Sequence, residues 1–191
     1  MTGVPPTGVL LAAGAARRFG GDKLLAPLPD GTPVGLAALR AMRAALPTVI
    51  AVVRPGDDAL SALFSGHGVR VVHCERADEG MGASLACGVA ASADANGWVV
   101  ALADMPWIAT RTIRAVGEAI VAGASLAAPV CRGERGHPVG FAASHRAALM
   151  ALEGDEGARA ILAHAGTALV RIDVDDAGVL RDVDAPGDLT R

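Results

Sequence analysis

Several segments of this sequence set glycines, cations and carboxylates at spacings suited to holding a phosphate anion. The first is Ala13-Gly-Ala-Ala-Arg-Arg-Phe-Gly-Gly-Asp-Lys23, a run of small residues carrying three cations. Small residues let backbone N–H groups approach phosphate oxygens, and Arg17, Arg18 and Lys23 neutralise charge. No Gly-Lys-Ser/Thr comes after it and no G-x-G-x-x-G is present, so neither common nucleotide fingerprint applies. The bland alternative is a basic surface turn. The second is Glu79-Gly-Met-Gly-Ala-Ser-Leu85, where Gly80 and Gly82 free the backbone and Ser84 either caps a helix or bonds a ligand. The third is Leu102-Ala-Asp-Met-Pro106, which puts Asp104 behind an apolar run and lets Pro106 stiffen the backbone after it. An Asp so placed suits a divalent cation, and it lies too far before Thr110 to cap the next helix directly.

Three later segments carry weaker signals. In Gly133-Glu-Arg-Gly-His-Pro-Val-Gly140, His137 sits beside Pro138 in a glycine-rich turn and is a candidate for lining a substrate pocket, although lone histidines are more often structural. In Gly154-Asp-Glu-Gly-Ala-Arg159, Asp155 reads as the N-cap of a following helix, and Arg159 is either a solvated charge or a ligand to substrate. In Arg181-Asp-Val-Asp-Ala-Pro-Gly-Asp-Leu189, alternate positions of an extended segment point the same way, so Asp182 and Asp184 are both able to face one site.

The elements that position these segments can be read from apolar patterning. Short aliphatic runs at 8–12, 48–53, 69–74, 98–101 and 125–130 read as strands buried on both faces. Between them, 35–46, 57–65, 83–93 and 110–122 read as helices, with Asp57 and Thr110 as caps. Strand and helix alternate, which is the signature of an α/β fold with a mostly parallel sheet covered on both faces. In such a sheet ligands bind at the carboxyl ends of the strands, where the first three segments fall. Past residue 130 the pattern turns glycine-rich, with helical pieces near 145–152 and 156–165, so 131–165 is expected to form a lobe on the substrate side of a single domain spanning 1–191. A last strand is expected at 168–174, with 179–183 as its partner.

Composition excludes several classes of function. The chain has 191 residues, 52% hydrophobic and 19% charged, which rules out intrinsic disorder. Aromatics are 3% with no Tyr, so a base-stacking surface has little to stack with. A net charge of −3 without a long basic run argues against nucleic-acid binding. No apolar stretch approaches the ~18 residues of a membrane span, and no cation precedes the apolar start as in an export signal. The three cysteines, Cys74, Cys87 and Cys131, are odd in number and widely spaced, which argues against disulfides or zinc and points to a reducing, cytoplasmic compartment.

Taken together, Leu11-Ala-Ala-Gly14, Arg18-Phe-Gly-Gly-Asp-Lys23, Gly80-Met-Gly-Ala-Ser-Leu85, Asp104-Met-Pro106, Gly136-His-Pro138, Gly154-Asp-Glu-Gly-Ala-Arg159 and Asp184-Ala-Pro-Gly-Asp-Leu189 resemble the MobA-like NTP-transferase family, the molybdopterin cytidylyl- and guanylyltransferases. The resemblance implies a three-layer α/β/α, Rossmann-like nucleotidyltransferase fold with a mostly parallel mixed sheet, a magnesium-bound nucleoside triphosphate and release of pyrophosphate. It implies that Leu11, Ala12, Ala13, Gly14, Gly80, Gly82 and Ser84 bind the nucleotide, that Arg18 and Lys23 hold its phosphates, and that Asp104 and Asp184 bind Mg2+. His137 and Arg159 would line the acceptor pocket. Leu-Ala-Ala-Gly at 11–14, rather than Leu-Ala-Gly-Gly, is similar to the cytidylyl branch, so CTP is the expected donor and GTP the alternative. The expected acceptor is a molybdopterin-type phosphate, with another phosphorylated acceptor such as a sugar or phospholactate as the alternative, and a recipient molybdoenzyme is a candidate partner. Ala16, Phe19 and Ala185 depart from the residues usual in the family, and Ala16 removes a hydroxyl that would meet phosphate. A non-catalytic cofactor carrier and a dinucleotide-dependent oxidoreductase are the alternatives from other classes. A carrier has no need of Lys23 and Asp104, and the oxidoreductase lacks its fingerprint.

Overall fold

The computed structural model describes residues 3–14, 19–164 and 166–190. The aliphatic runs form β1 (Thr7–Leu11), β2 (Val49–Val53), β3 (Arg70–His73), β4 (Gly97–Leu102) and β5 (Leu126–Cys131). The amphipathic stretches form α1 (Val34–Ala45), α2 (Asp58–Gly66), α3 (Met81–Ala91) and α4 (Thr110–Val121). Asp57 caps α2 as expected, its side chain accepting from the Leu60 N–H. β3 is only partly buried, because it lies at the edge of the sheet and not inside it.

Among the described residues the sheet has eight strands in the order β3-β2-β1-β4-β7-β5-β6, with β6 at Glu134–Arg135, β7 at Val139–Ala142 and β8 (Leu169–Asp173) paired with β5. β1 pairs in parallel with β2 on one side and β4 on the other, while β7 runs antiparallel between β4 and β5. Part of the segment expected as a lobe, residues 134–142, is therefore sheet. Its helical pieces are α5 (Arg146–Met150) and α6 (Arg159–His164). Residues 179–183 do not pair with β8; a 3-10 turn occupies Ala177–Leu180 and β8 runs parallel to β5.

Alternation along β1 divides the core into two layers. Leu10 packs with Leu39 and Met42 of α1, Leu60 and Phe64 of α2, and Ile113 and Val116 of α4. Val9 and Leu11 face the other way, with Leu85 and Val89 of α3 and Leu149 of α5. This is the three-layer α/β/α arrangement. No helix among the described residues is long and apolar enough to cross a membrane.

Two long-range features depart from the sequence expectations. Thr110 is not the cap of α4, whose N-cap position is Ala109. Asp176, buried and 64 residues beyond Thr112, accepts through Oδ2 from the Ala109 N–H at 2.9 Å and the Thr112 hydroxyl at 2.6 Å, and through Oδ1 from the Gly178 N–H at 3.1 Å. Cys74 and Cys87 are joined by a disulfide across a Cα separation of 5.9 Å, and Cys131 is free and buried.

Removal of the Asp176 carboxylate strands three donors, two of them buried. Asp176→Ala is expected to lower stability by on the order of 2–3 kcal/mol, a fall in melting temperature of roughly 5–10 °C at this chain length. Thermal denaturation followed by circular dichroism measures it; an unchanged melting temperature would show that water replaces the carboxylate.

Candidate functional site

β1 and β4 are neighbours in space, although the chain passes through β2 and β3 between them. The strand order therefore reverses at β1/β4, and a crevice opens beyond their carboxyl ends. A cavity of about 430 Å³ occupies it. Leu11, Ala12, Ala13 and Gly14 form its floor, and the start of α3 forms one wall. The Ala12 N–H donates to the Val52 carbonyl and the Ala103 N–H to the Leu11 carbonyl, so the loops after β1 and β4 leave the sheet in register.

Lys23 belongs to a 3-10 turn, Lys23–Leu25, whose Leu24 and Leu25 pack against the core and hold the lysine stem in place. Its Nζ donates to Asp104 Oδ2 at 2.7 Å and lies 3.7 Å from Asp184 Oδ1. Buried Met105 and Ile108 fix the loop that carries Asp104. The Val183 N–H donates to the Asp104 backbone carbonyl at 2.9 Å, bringing the C-terminal acidic segment to the same place. Asp184, not Asp182, is the member of that pair that lines the cavity. Burial, then repulsion from Asp184 and Asp104, raises the Asp182 carboxyl above the usual value.

The residues present fit a divalent cation. Asp104 Oδ1 is buried and has no hydrogen-bond partner, while Oδ2 holds Lys23. Among the described residues no cluster of three His, Cys, Asp or Glu forms a closed metal cage. Two carboxylates completed by substrate phosphates are the usual way a protein holds Mg2+. Asp78 and Asp155 also line the cavity, so its described lining carries four carboxylates beside the cations Lys23 and Arg54. A polyanion needs further positive charge to enter such a site.

The wall at α3 is built by close approach. The Gly82 N–H donates to the Gly154 carbonyl at 2.7 Å. A Cβ on Gly80 would collide with Asp155 Oδ1, and one on Gly82 would fall 2.6 Å from the Glu153 carbonyl oxygen. Gly80 also has φ of +130°, which side chains rarely adopt. These two glycines admit a loop from the far end of the chain. Ser84 lines the cavity while donating to the Gly80 carbonyl at 3.2 Å.

The structure thus gathers Leu11, Ala12, Ala13, Gly14, Lys23, Gly80, Ser84, Asp104 and Asp184 around one cavity. Gly82 stands behind it, its N–H already used. Arg18 and Arg17 lie outside the described residues. Arg159 is exposed at the start of α6 and is not among the lining residues. Asp155 is not a helix cap as expected, since α6 begins only at Arg159; it faces the cavity. His137 is half-buried and off the cavity, its backbone N–H donating to the Val179 carbonyl, its Nδ1 buried without a partner and its peptide bond to Pro138 cis. Gly136 precedes it because a Cβ there would collide with the Val179 carbonyl oxygen.

Sequence reasoning passed over Arg54, Asp78 and Met81. Arg54 directly follows β2 and donates to the Ala13 carbonyl at 2.8 Å, so the rule that ligands sit after strands would have found it.

Residues 8–170 match the family model of the MobA-like NTP transferase domain. Purine catabolism protein PucB of Bacillus subtilis is 32% identical, with 94% of this chain and 91% of that protein covered. Nicotine blue oxidoreductase of Paenarthrobacter nicotinovorans is 35% identical over 93% and 91%. The crystal structure of Rv0371c from Mycobacterium tuberculosis superposes with a TM-score of 0.84 at 32% identity, covering 98% and 96%, and a manganese complex of Rv0371c does so with 0.73 at 28%, covering 97% and 92%.

Burial, followed by the charge of Arg135, lowers the His137 pKa below 6.5, against a smaller opposing pull from Asp104. The unfolded chain therefore takes up a proton at this residue as pH falls through about 6.5 while the native state does not, and stability declines on that side. His137→Gln is expected to flatten the dependence of melting temperature on pH between about 5 and 7. An unaltered slope would show that His137 titrates alike in both states.

Proposed function

The chain belongs to the MobA-like NTP transferase domain family, and from that premise we propose that it transfers CMP from CTP to a phosphate of a molybdopterin-type acceptor, releasing pyrophosphate. The observation that carries this reading is the Lys23–Asp104–Asp184 cluster at the mouth of the β1/β4 crevice, with one oxygen of Asp104 left unsatisfied. A carrier of finished cofactor has no use for such a cluster.

In the reaction, an acceptor phosphate oxygen attacks the α-phosphorus, a new P–O bond forms, and the bond to the β-phosphate oxygen breaks. No covalent enzyme intermediate is needed. The protein positions the two reactants and stabilises charge. Lys23, now turned to Asp104, has three N–H donors and serves the triphosphate when it enters. Asp104 and Asp184 would hold Mg2+, which supplies neutralisation of the phosphate oxygens. The carboxylate excess around the cavity and the manganese complex of Rv0371c support a divalent cation. The family resemblance assigns Arg18 a further contact to the phosphates.

Asp78 and Asp155, on the α3 side, are acceptors for an exocyclic amine, which cytosine, guanine and adenine carry and uracil lacks. Leu-Ala-Ala-Gly at 11–14 favours cytosine among them. A recipient molybdoenzyme is the proposed partner for the product.

Thermal shift with CTP, GTP and ATP, with and without Mg2+, tests the reading. CTP with Mg2+ at 100 times its dissociation constant is expected to stabilise by about 2.7 kcal/mol. A response to GTP alone moves the donor to GTP, and none to any nucleotide favours the carrier. The oxidoreductase name of one relative makes hydride transfer the second reading, so oxidation of a nicotinamide dinucleotide is assayed beside pyrophosphate release. Lys23→Ala and Asp104→Ala are each expected to lower turnover by on the order of 10²–10³; wild-type turnover in either folded variant would overturn the site.

A further inference from the structure

Cys74 and Cys87 stand at the two ends of the segment that builds one wall of the cavity. Cys74 directly follows β3, is fully buried, and donates its backbone N–H to the Val53 carbonyl at 2.9 Å. Cys87 lies in the second turn of α3 and is half-buried. Between them come Ala77, Asp78, Gly80, Met81 and Ser84, all of which line the cavity. The disulfide thus ties the second turn of α3 to the end of an edge strand and closes a short loop, of sequence separation 13, that carries this wall.

The reduced form is provided for as well. Cys74 Sγ lies 3.6 Å from the Ala83 carbonyl oxygen, so a thiol there has an acceptor in place and leaves no buried S–H stranded. Cys131, the remaining cysteine, is buried in the opposite core layer and is not in competition for either sulfur.

We propose that Cys74 and Cys87 form a reversible redox site that sets the affinity of the cavity for its nucleotide, tighter when oxidised and weaker when reduced. The proposal rests on the nucleotide reading above. A cross-link across the 75–86 segment orders the donors and carboxylates of the wall before the ligand arrives; without it, the ligand must order them on binding, at a cost in affinity.

The chemistry needs a small dithiol as reductant. Its thiolate attacks Sγ of Cys87, the accessible sulfur; the S–S bond breaks, and Cys74 leaves as thiolate and takes a proton. The second thiol of the reductant then displaces Cys87 and closes the reductant into its own disulfide, so two electrons pass to the protein. Oxidation is the reverse exchange with a small-molecule disulfide.

The test uses the intact protein, reduced with dithiothreitol or oxidised with oxidised glutathione, and reads redox state and affinity separately. Alkylation under denaturing conditions followed by mass measurement is expected to label all three cysteines after reduction and Cys131 alone after oxidation. Calorimetric titration with CTP and Mg2+ is expected to give a dissociation constant about tenfold higher for the reduced form, the scale of a modest loss of preorganisation. Cys87→Ser should bind like the reduced protein under both conditions, and Cys131→Ser should keep the full response. Equal affinities in the two forms, or three labelled cysteines after oxidation, would overturn the proposal. If neither form binds CTP, GTP or ATP, the nucleotide reading fails and the gating with it, while the labelling still reports whether the pair exists.

Discussion

The contact between Lys23 and Asp104 at 2.7 Å joins the loop after β1 to the loop after β4, and the rest of the site is arranged around it. Both side chains are largely withdrawn from water, at 13% and 23% exposure. Partly buried ion pairs recover little more than their desolvation cost, so the value of this one is positional. It holds an ammonium and a carboxylate at the point where β1 and β4 diverge. The parallel register of those two strands places both loops at the same height, and the C-terminal segment joins them through its hydrogen bond from Val183.

Small side chains make the second wall possible. Leu11-Ala-Ala-Gly14 leaves backbone at the cavity floor where bulkier residues would fill it. On the far side, Gly80 and Gly82 let the 153–155 loop approach the start of α3 to within a distance that no Cβ permits. Arg76 pairs with Glu79 within the β3–α3 loop and lies 3.8 Å from Glu153, so the two segments meet through exposed charges as well as through backbone. The wall is therefore a composite of residues near 80 and near 154, fastened behind by the Cys74–Cys87 bond.

The electrostatic character of the cavity is a product of this assembly. Asp104 and Asp184 converge on Lys23, whereas Asp78 and Asp155 stand at the α3 side. One group of carboxylates suits a cation and the phosphates it brings; the other suits hydrogen-bond donors on a base. The separation of the two pairs of carboxylates is a property of the folded chain, since its members come from segments far apart in sequence.

Much was legible in local sequence. The strands β1, β2, β4 and β5, the four long helices and the Asp57 cap were readable because apolar periodicity and capping depend on neighbours within a few residues. That Gly14, Lys23 and Asp104 meet at one cavity was readable because their segments come after β1 and β4, and the carboxyl ends of a parallel sheet lie together whatever else the fold does. Four features were not. The insertion of β7 between β4 and β5, the capping of α4 by Asp176, the turn of Asp155 toward the cavity and the pairing of Cys74 with Cys87 each join residues with no local relation. The order of strands and the packing of helices decide which distant groups meet, and a buried polar atom or a sulfur takes whatever partner that packing brings within reach.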